Sequence, residues 1–400
     1  MSLCSIPSKQ WSKLSIKQVC YFYAKKTNIG GSNQLYHTTQ VYSNTNKNDN
    51  TSSSTMAFDR KMKGLQRDAA ARIHARYNNV EMKEKSNEGT NIYDYDYFQK
   101  EIALRLIDRL DDIVRDDGFP LGLNIGSGAG YIHKAICMDD SLTGEGGIGG
   151  IRKLVQLDSS YHMLHREQKE FEHERCDTYK MHVDEEEKLP FPDGTFDIVL
   201  SSGSLHFVND LPFLFKEVKR VLKPDGCFMF AMVGGSTIPE LRSAMVLAEM
   251  ERDGGVSTHV GPFVDFADVG QLLTAAGFSL PTVDIDTIHF AFPNAMVLME
   301  HLQRMGEGNA CFNRKQRTSL DTFLATAAIY QEMFPLDDQF HDHDTKNDNS
   351  NILLSDIQAS VQVIYAIGWS PHESQQKPLK RGSATRKVGD IHIDKVETKK

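Results

Sequence analysis

Apolar residues along the chain alternate between a helical and an extended spacing. From Tyr97, apolar positions recur every three or four residues, which is typical of a helix with one buried face. From Leu121, short apolar runs alternate with such helical stretches. We predict strands that begin at residue 121 and span 153–157, 181–183, 196–203, 227–234, 281–288 and 361–369. This alternation predicts a doubly wound α/β sheet of seven mainly parallel strands, whose carboxyl ends meet at one edge.

The helical stretches complete this prediction. The sequence predicts helices from residues 97, 132 and 161 and over 210–222, 238–250, 265–276, 294–304 and 318–334, with a turn at 223–226. An earlier helix begins near Phe58, and the spacing of Phe58, Met62 and Leu65 places these three apolar residues on one face.

Composition divides the chain into four parts. Residues 1–48 contain six Lys and no Asp or Glu, which resembles a mitochondrial transit peptide, with a disordered basic tail as the alternative. Residues 49–57 are low-complexity and predict a disordered linker. A single domain is predicted over 58–370, with a helical insertion at about 236–264 as a lid, and a loosely ordered tail over 371–400.

Charge and cysteine spacing narrow the class of protein. The formal net charge is −9, so the segment after residue 48 carries −15, and such an acidic body is a poor match for nucleic acid. The six cysteines form no C-x-x-C pair, which argues against a zinc cluster and against a disulfide framework. No apolar run approaches the roughly 20 residues that a membrane-spanning helix needs, so membrane contact would be peripheral.

A glycine-rich turn follows the first predicted strand. Gly126, Gly128 and Gly130 alternate in LGLNIGSGAGY, and this G-x-G-x-G spacing does not fit the dinucleotide fingerprint G-x-G-x-x-G. The stretch resembles motif I of class I S-adenosylmethionine (SAM)-dependent methyltransferases, except that Asn124 stands where an acidic residue is usual. A glycine turn of an ordinary α/β domain is the alternative reading.

Three polar residues end the next predicted strands in the order that a nucleoside ligand requires. Asp158 is placed to accept hydrogen bonds from ribose hydroxyls, Asp184 from an adenine amine, and Ser202 lies beside the expected sulfonium. Together with the three glycines they form the predicted cofactor site, for which no metal is expected.

Other candidates stay open between chemistry and structure. Aromatic residues at 131, 191 and 207 suit a sulfonium but are equally suited to the core. His206 is placed to act as a general base or to pack structurally. His341 and His343 have the spacing of metal ligands within a polar insertion, and a charged helix at 240–255 (Glu249, Glu251) suits a solvated face.

Several longer blocks resemble the mitochondrial complex I assembly factor 5 family. They are FDRKMKGLQRDAAAR (58–72), LNIGSGAGYI (123–132), DEEEKLPFPDGTFDIVLSSGSLHFVNDLP (184–212), LKPDGCFMFAMVGGSTIPELR (222–242), LAEMERDGG (247–255), MGEGNACFNRK (305–315) and IGWSPHESQQKPLKRGSAT (367–385). The resemblance covers about 58–385.

The resemblance implies a Rossmann-like class I methyltransferase fold in the mitochondrial matrix, peripheral on the inner membrane. It implies SAM as cofactor and hydroxylation of an arginine in an iron–sulfur subunit of complex I (NADH:ubiquinone oxidoreductase), alongside other assembly factors. It further implies that Gly126, Gly128, Gly130, Asp158 and Asp184 line the cofactor site. Spacing and composition alone leave two alternatives: a methyltransferase acting on a protein or small acid, and a non-catalytic assembly chaperone.

Overall fold

The computed structural model describes residues 56–78, 95–113, 115–138, 146–167, 176–336, 356–377 and 382 of the chain. The predicted transit peptide and His341 and His343 lie outside the described residues, as does most of the predicted linker and tail. The domain limits therefore stay predictions. No helix in the described ranges is long and apolar enough to cross a membrane.

The described part contains a seven-stranded sheet in the order β3-β2-β1-β4-β5-β7-β6. Its strands are β1 Leu121–Ile125, β2 Lys153–Asp158, β3 Asp177–His182, β4 Phe196–Ser202, β5 Leu222–Val233, β6 Ser279–Phe292 and β7 Ile357–Trp369. β7 is antiparallel to both of its neighbours, whereas β1 to β5 pair in parallel. The predicted mainly parallel seven-stranded sheet is thus confirmed.

The helices of the described part pack on both faces of the sheet. They are α1 Arg60–Asn78, α2 Tyr97–Asp111, α3 Tyr131–Cys137, α4 Tyr161–Leu164, α5 Leu211–Val221, α6 Pro239–Arg252, α7 Phe266–Ala276, α8 Ala295–Met305 and α9 Leu320–Met333. α2 buries Ile102, Leu106 and Leu110 against one face. α5 and α7 cover the opposite face, where Phe215 and Phe228 stack edge to face.

Two local predictions differ from the structure. The third strand begins at Asp177 rather than at Met181. Its first residues are polar and half-buried at the sheet edge, so the apolar pattern of the sequence did not include them. The predicted turn at 223–226 is the irregular start of β5, where Asp225 has a positive φ of 61° and the pairing with β4 shifts.

α1 lies outside the two helical layers and crosses the carboxyl edge of the sheet. Phe58, just before α1, pairs with Cys311, and the helix contacts α4 and α8. The three apolar residues do not share one environment, since Phe58 is buried, Met62 is half-buried and Leu65 is 54 % exposed. Lys63, in contrast, is 3 % exposed. A basic face of α1 is therefore turned toward the strand ends.

The order of strands reverses beside β1, because β2 and β4 flank it and leave it in opposite directions along the sheet. In open α/β sheets a ligand binds in the crevice at that point, beyond the carboxyl ends of the strands. α1 covers this crevice.

Candidate functional site

The turn after β1 keeps its backbone free of side chains. Gly126, Gly128 and Gly130 have φ values of 62°, 58° and 85°, in the left-handed region that favours glycine. A Cβ on Gly126 would lie 2.0 Å from Oγ of Ser204. The three predicted glycines are therefore required by conformation, and at Gly126 also by space.

Asp158 ends β2 and is completely buried. Its Oδ2 accepts from the Gly128 N–H at 2.7 Å and from Arg67 Nη2 at 2.7 Å, and its Oδ1 accepts from the Ser160 N–H at 2.7 Å. The carboxylate thus ties the glycine turn to β2 and to α1. It stands where a ribose is held in nucleotide-binding folds of this type.

Asp184 follows β3 in a short acidic run that faces Arg60 of α1. Nη2 of Arg60 lies 2.9 Å from Asp184 and 2.7 Å from the buried Glu185. These acids hold the pKa of Arg60 above its usual value although burial opposes them. The structure therefore brings Asp184 to the same edge as Asp158, and each of the two acids faces a different guanidinium of α1, Arg60 and Arg67.

Ser202 ends β4 and is half-buried next to two fully packed serines. Ser201 donates to the Ile125 carbonyl at 2.8 Å and contacts Ser204 Oγ at 3.0 Å. Ser204 in turn closes over Gly126. Ser201 and Ser204 pack beneath the turn, and Ser202 lies next to them at the strand end.

The residues present fit a bound SAM molecule. Ser127 Oγ and both polar atoms of the Asn124 side chain are buried beside the turn with no hydrogen-bond partner among the described residues. Buried polar atoms of this kind need a partner such as a ligand or an ordered water. With a backbone cradle, a carboxylate at the ribose position and a second acid after β3, the crevice has the groups that an adenosyl ligand requires.

A buried network of three charged or polar groups extends from the crevice. Lys63 Nζ donates to the Gly306 carbonyl at 2.7 Å and to Glu307 Oε2 at 3.0 Å, and it lies 3.3 Å from the centroid of the Phe207 ring. His206 Nε2 is 3.6 Å from the same Glu307 oxygen. Burial lowers the pKa of Lys63 to about 8, with Glu307 opposing. Burial raises the pKa of Glu307, but Lys63 and His206 outweigh this effect and lower that pKa to about 2.

His206 is neutral in this setting, because burial lowers the pKa of its imidazole more than Glu307 raises it. The carboxylate near Nε2 favours the tautomer with the proton on that nitrogen. Nδ1 is then an acceptor, and it is buried with no hydrogen-bond partner in the described part of the chain. Burial fits the packing alternative for His206 and the open Nδ1 fits the general base, so both stay predictions.

An apolar cavity of about 70 Å³ opens beside His206 and Glu307. At about 30 Å³ per molecule in liquid water, that is the volume of roughly two water molecules. Its walls are mainly apolar, and they include six aromatic rings that come from distant parts of the chain: Tyr97, Phe98, Phe207, Phe263, Phe290 and Phe292. A cavity with few polar groups set among aromatic walls is typical of a pocket for one side chain of a partner molecule.

The charged helix predicted as a solvated face is partly buried. Glu249 of α6 is 1 % exposed and accepts from the Ser257 N–H and hydroxyl at 2.6 Å each, with His259 Nε2 at 2.9 Å. His259 uses one nitrogen for both contacts, so the three groups do not form a proton relay. They fix the loop after α6, whereas Glu251 is exposed as predicted.

One group of possible metal ligands occurs in the described ranges, and it is already compensated. His74, Asp96 and Glu167 place ligand atoms within 4.8 Å of one another. Arg166 donates to both carboxylates, and Lys134 pairs with Glu167. Because cations already hold both acids, this cluster has no free charge for a metal ion.

Sequence reasoning missed Arg67, Lys63, Ser204 and Glu307. The first two had a signal: Arg60, Lys63 and Arg67 recur at helical spacing, which puts three cations on one helix face. Glu307 had none, since it lies in a loop 244 residues from Lys63.

The other aromatic candidates separate in the structure. Phe207 lines the cavity. Phe191 packs edge to face on Phe196 in the core, and Tyr131 contacts Arg166 rather than the cavity.

Comparison with known proteins agrees with this geometry. The family description "Methyltransferase domain" matches residues 123–230. The mitochondrial arginine-hydroxylase NDUFAF5 of Rattus norvegicus is 42% identical over 297 residues, 74% of this chain and 77% of the relative. That of Danio rerio is 37% identical over 334 residues, 84% of this chain and 89% of the relative.

A more distant relative has a different name. The malonyl-[acyl-carrier protein] O-methyltransferase of a Methylovorus species is 30% identical over 185 residues, 46% of this chain and 55% of the relative. The match to the NDUFAF5 proteins extends well beyond the methyltransferase region into both flanks. This chain belongs to the NDUFAF5 arginine-hydroxylase family, on a class I methyltransferase fold.

Proposed function

We propose that the protein is a mitochondrial enzyme that hydroxylates an arginine side chain of an iron–sulfur subunit of complex I during assembly of that complex. The observation that carries the proposal is the 42% and 37% identity to mitochondrial arginine hydroxylases over most of both chains. The matrix, with peripheral contact to the inner membrane, is the proposed location, and other assembly factors are proposed as further partners.

We propose SAM as the cofactor, held by Gly126, Gly128, Gly130, Asp158, Asp184 and Ser202. When bound, SAM supplies a sulfonium centre with an activated methyl group. The glycine turn gives it close approach to the main chain, Asp158 accepts from ribose hydroxyls, and Asp184 lies at the adenine end.

The aromatic cavity is the proposed place for the acceptor arginine. Its walls suit the flat face of a guanidinium and the apolar stem behind it. His206 Nδ1 offers an acceptor for one guanidinium N–H, and Glu307 fixes the imidazole that carries it. The pocket excludes water from the acceptor and holds it beside the cofactor crevice.

The test is mass spectrometry of complex I subunits from cells that lack this protein, rescued with wild type or with Asp158→Ala. The proposal expects a subunit arginine to lose the mass of one oxygen in the deletion and to regain it with wild type alone. An unmodified arginine in normal cells would overturn it.

A methyltransferase is the second candidate function. It is favoured by the methyltransferase-domain match and by the Methylovorus relative, whose name describes O-methylation of a malonyl-[acyl-carrier protein]. Loss of a methyl group instead of an oxygen in the same experiment would support it. Rescue of complex I assembly by Asp158→Ala without any modification would support the chaperone.

A further inference from the structure

The basic residues of α1 form ion pairs with acidic residues at the edge of the sheet. Arg60, Lys63 and Arg67 follow each other by three and four positions and therefore share one side of the helix. Arg60 pairs with Asp184 and Glu185, Lys63 with Glu307, and Arg67 with Asp158. Arg60 is shared by several acids, whereas Lys63 and Arg67 each pair with one, Glu307 and Asp158. A ligand that takes Asp158 therefore displaces Arg67.

Asp158 has little room for another donor while Arg67 is in place. Each carboxylate oxygen accepts about two hydrogen bonds. Oδ2 accepts from the Gly128 N–H and from Arg67, so both of its positions are filled. Oδ1 accepts from Ser160 and retains one position. A ribose that presents two hydroxyls therefore needs the position that the guanidinium holds.

A displaced Arg67 would be a buried cation in need of a partner. Its side chain is 13% exposed, and Asp158 is its hydrogen-bond partner in the described part of the chain. The nearest other acids, Glu185 and Glu307, are held by Arg60 and Lys63. Breaking a buried ion pair without replacing the lost charge is strongly unfavourable.

The ligand itself can supply the missing anion. Arg67 Nη2 lies 3.8 Å from the position that a Cβ on Gly128 would occupy, so the guanidinium stands directly on the open turn. An amino-acid carboxylate that extends from the ribose past this turn would meet Arg67 there, and guanidinium–carboxylate pairs combine charge with two parallel hydrogen bonds.

We propose that Arg67 makes the crevice selective for adenosyl ligands that carry their own carboxylate. This inference rests on the proposed cofactor. A nucleoside without the carboxylate leaves Arg67 competing for Asp158, whereas SAM exchanges one carboxylate partner for another. The same residue therefore competes with a ribose for Asp158, and it stabilises the bound ligand only when that ligand carries the complete amino-acid group.

The experiment compares SAM with decarboxylated SAM, which keeps the sulfonium, the amine and the adenosine. Affinities are measured by titration calorimetry on wild type, Arg67→Met and Arg72→Met. Arg72 is exposed on the same helix and receives the same substitution as a matched control. We expect wild type and Arg72→Met to prefer SAM by about 10- to 100-fold. Arg67→Met should lose most of that preference and bind the decarboxylated ligand at least as well as wild type.

A second pair covers a failure of Arg67→Met to fold. Arg67→Lys should keep much of the preference and Arg67→Gln should lose it, with thermal unfolding as the check on folding. An unchanged preference in Arg67→Met or Arg67→Gln overturns the inference, as does a wild type that binds both ligands equally. The binding measurements contain no acceptor substrate, so they stay valid even if the protein does not hydroxylate arginine. If the wild type binds neither ligand, both the proposed cofactor and this inference are wrong.

Discussion

The two halves of the crevice recognise their ligands by different means. The cofactor half, formed by Gly126, Gly128, Gly130, Asp158 and Asp184, presents backbone and carboxylates that are paired with cations of α1. The acceptor half, formed by His206, Phe207, Phe263 and Glu307, presents aromatic walls and one unpartnered imidazole nitrogen. Under the two proposals, the cofactor half selects its ligand by exchange of charge, and the acceptor half selects by shape and exclusion of water.

The largest effect should come from Asp158→Ala, which breaks the cofactor half. Removing this buried carboxylate leaves the Gly128 and Ser160 N–H groups and the Arg67 guanidinium without their acceptor. We expect a loss of about 3–5 kcal/mol in the free energy of unfolding and no measurable SAM binding. Denaturant unfolding and calorimetry measure the two quantities. A variant as stable as wild type would mean that Arg67 finds another partner.

His206 substitutions should break the acceptor half and leave the cofactor half intact. His206→Phe keeps a ring but removes the acceptor nitrogen, so we expect kcat/KM for an arginine-containing substrate to fall by about 10- to 100-fold. SAM affinity should stay within a factor of about two, well below one hydrogen bond.

Two amides identify which nitrogen of His206 matters. An Asn amide reaches roughly the position of Nδ1 and a Gln amide that of Nε2, so His206→Asn should restore more activity than His206→Gln. The reverse order would show that the contact with Glu307, rather than the acceptor in the cavity, carries the function.

Lys63 lies between the two halves, and its titration should make the stability of the protein depend on pH. Its pKa is about 8 in the folded protein against a usual value of 10.5. Between these values the unfolded chain binds a proton that the folded chain has released, so wild-type stability gains with rising pH. We expect Lys63→Met to lack a gain on the order of 2 kcal/mol. Urea unfolding of wild type and Lys63→Met at about pH 8 and pH 10.5 tests this. Identical changes of stability with pH in the two proteins would contradict a buried lysine that loses its proton in this range.

The smallest effect should come from Ser202→Ala. The Ser202 side chain is half-buried and makes no hydrogen bond to the described residues, so stability should change by less than about 0.5 kcal/mol. SAM affinity should fall by no more than about fivefold, in line with one neutral hydrogen bond. A much larger loss of affinity would show that Ser202 contributes more to SAM binding than one neutral hydrogen bond.

The same comparison explains what the sequence could predict. Asp158 and Asp184 end or follow short runs that predicted strands, KLVQL and MHV, and strand ends of a parallel sheet meet at one edge. The cofactor half was therefore predictable from local pattern. The walls of the acceptor half come from segments as far apart as Tyr97 and Phe292, and only packing of the whole chain joins them.

α1 shows where a local rule fails. The spacing of Phe58, Met62 and Leu65 predicted one shared apolar face, but Phe58 is buried and Leu65 is exposed, and the acids at the strand ends attract the basic side of the helix. Tertiary charge complementarity outweighs the hydrophobic pattern on a helix that covers a polar crevice. The hydroxylase reaction itself was reached only through family resemblance, since no local motif encodes it.

The position of α1 in the chain has a consequence for the order of folding. Its contacts bridge 91 residues from Arg67 to Asp158 and 244 from Lys63 to Glu307. Contacts that close such long loops form late, because their entropy cost must be met by structure already in place. Among the described helices, α1 is synthesised first, yet we expect it to dock only after nearly the whole domain has formed. A crevice sealed in this way becomes competent only in a finished molecule, so incomplete chains cannot compete for cofactor.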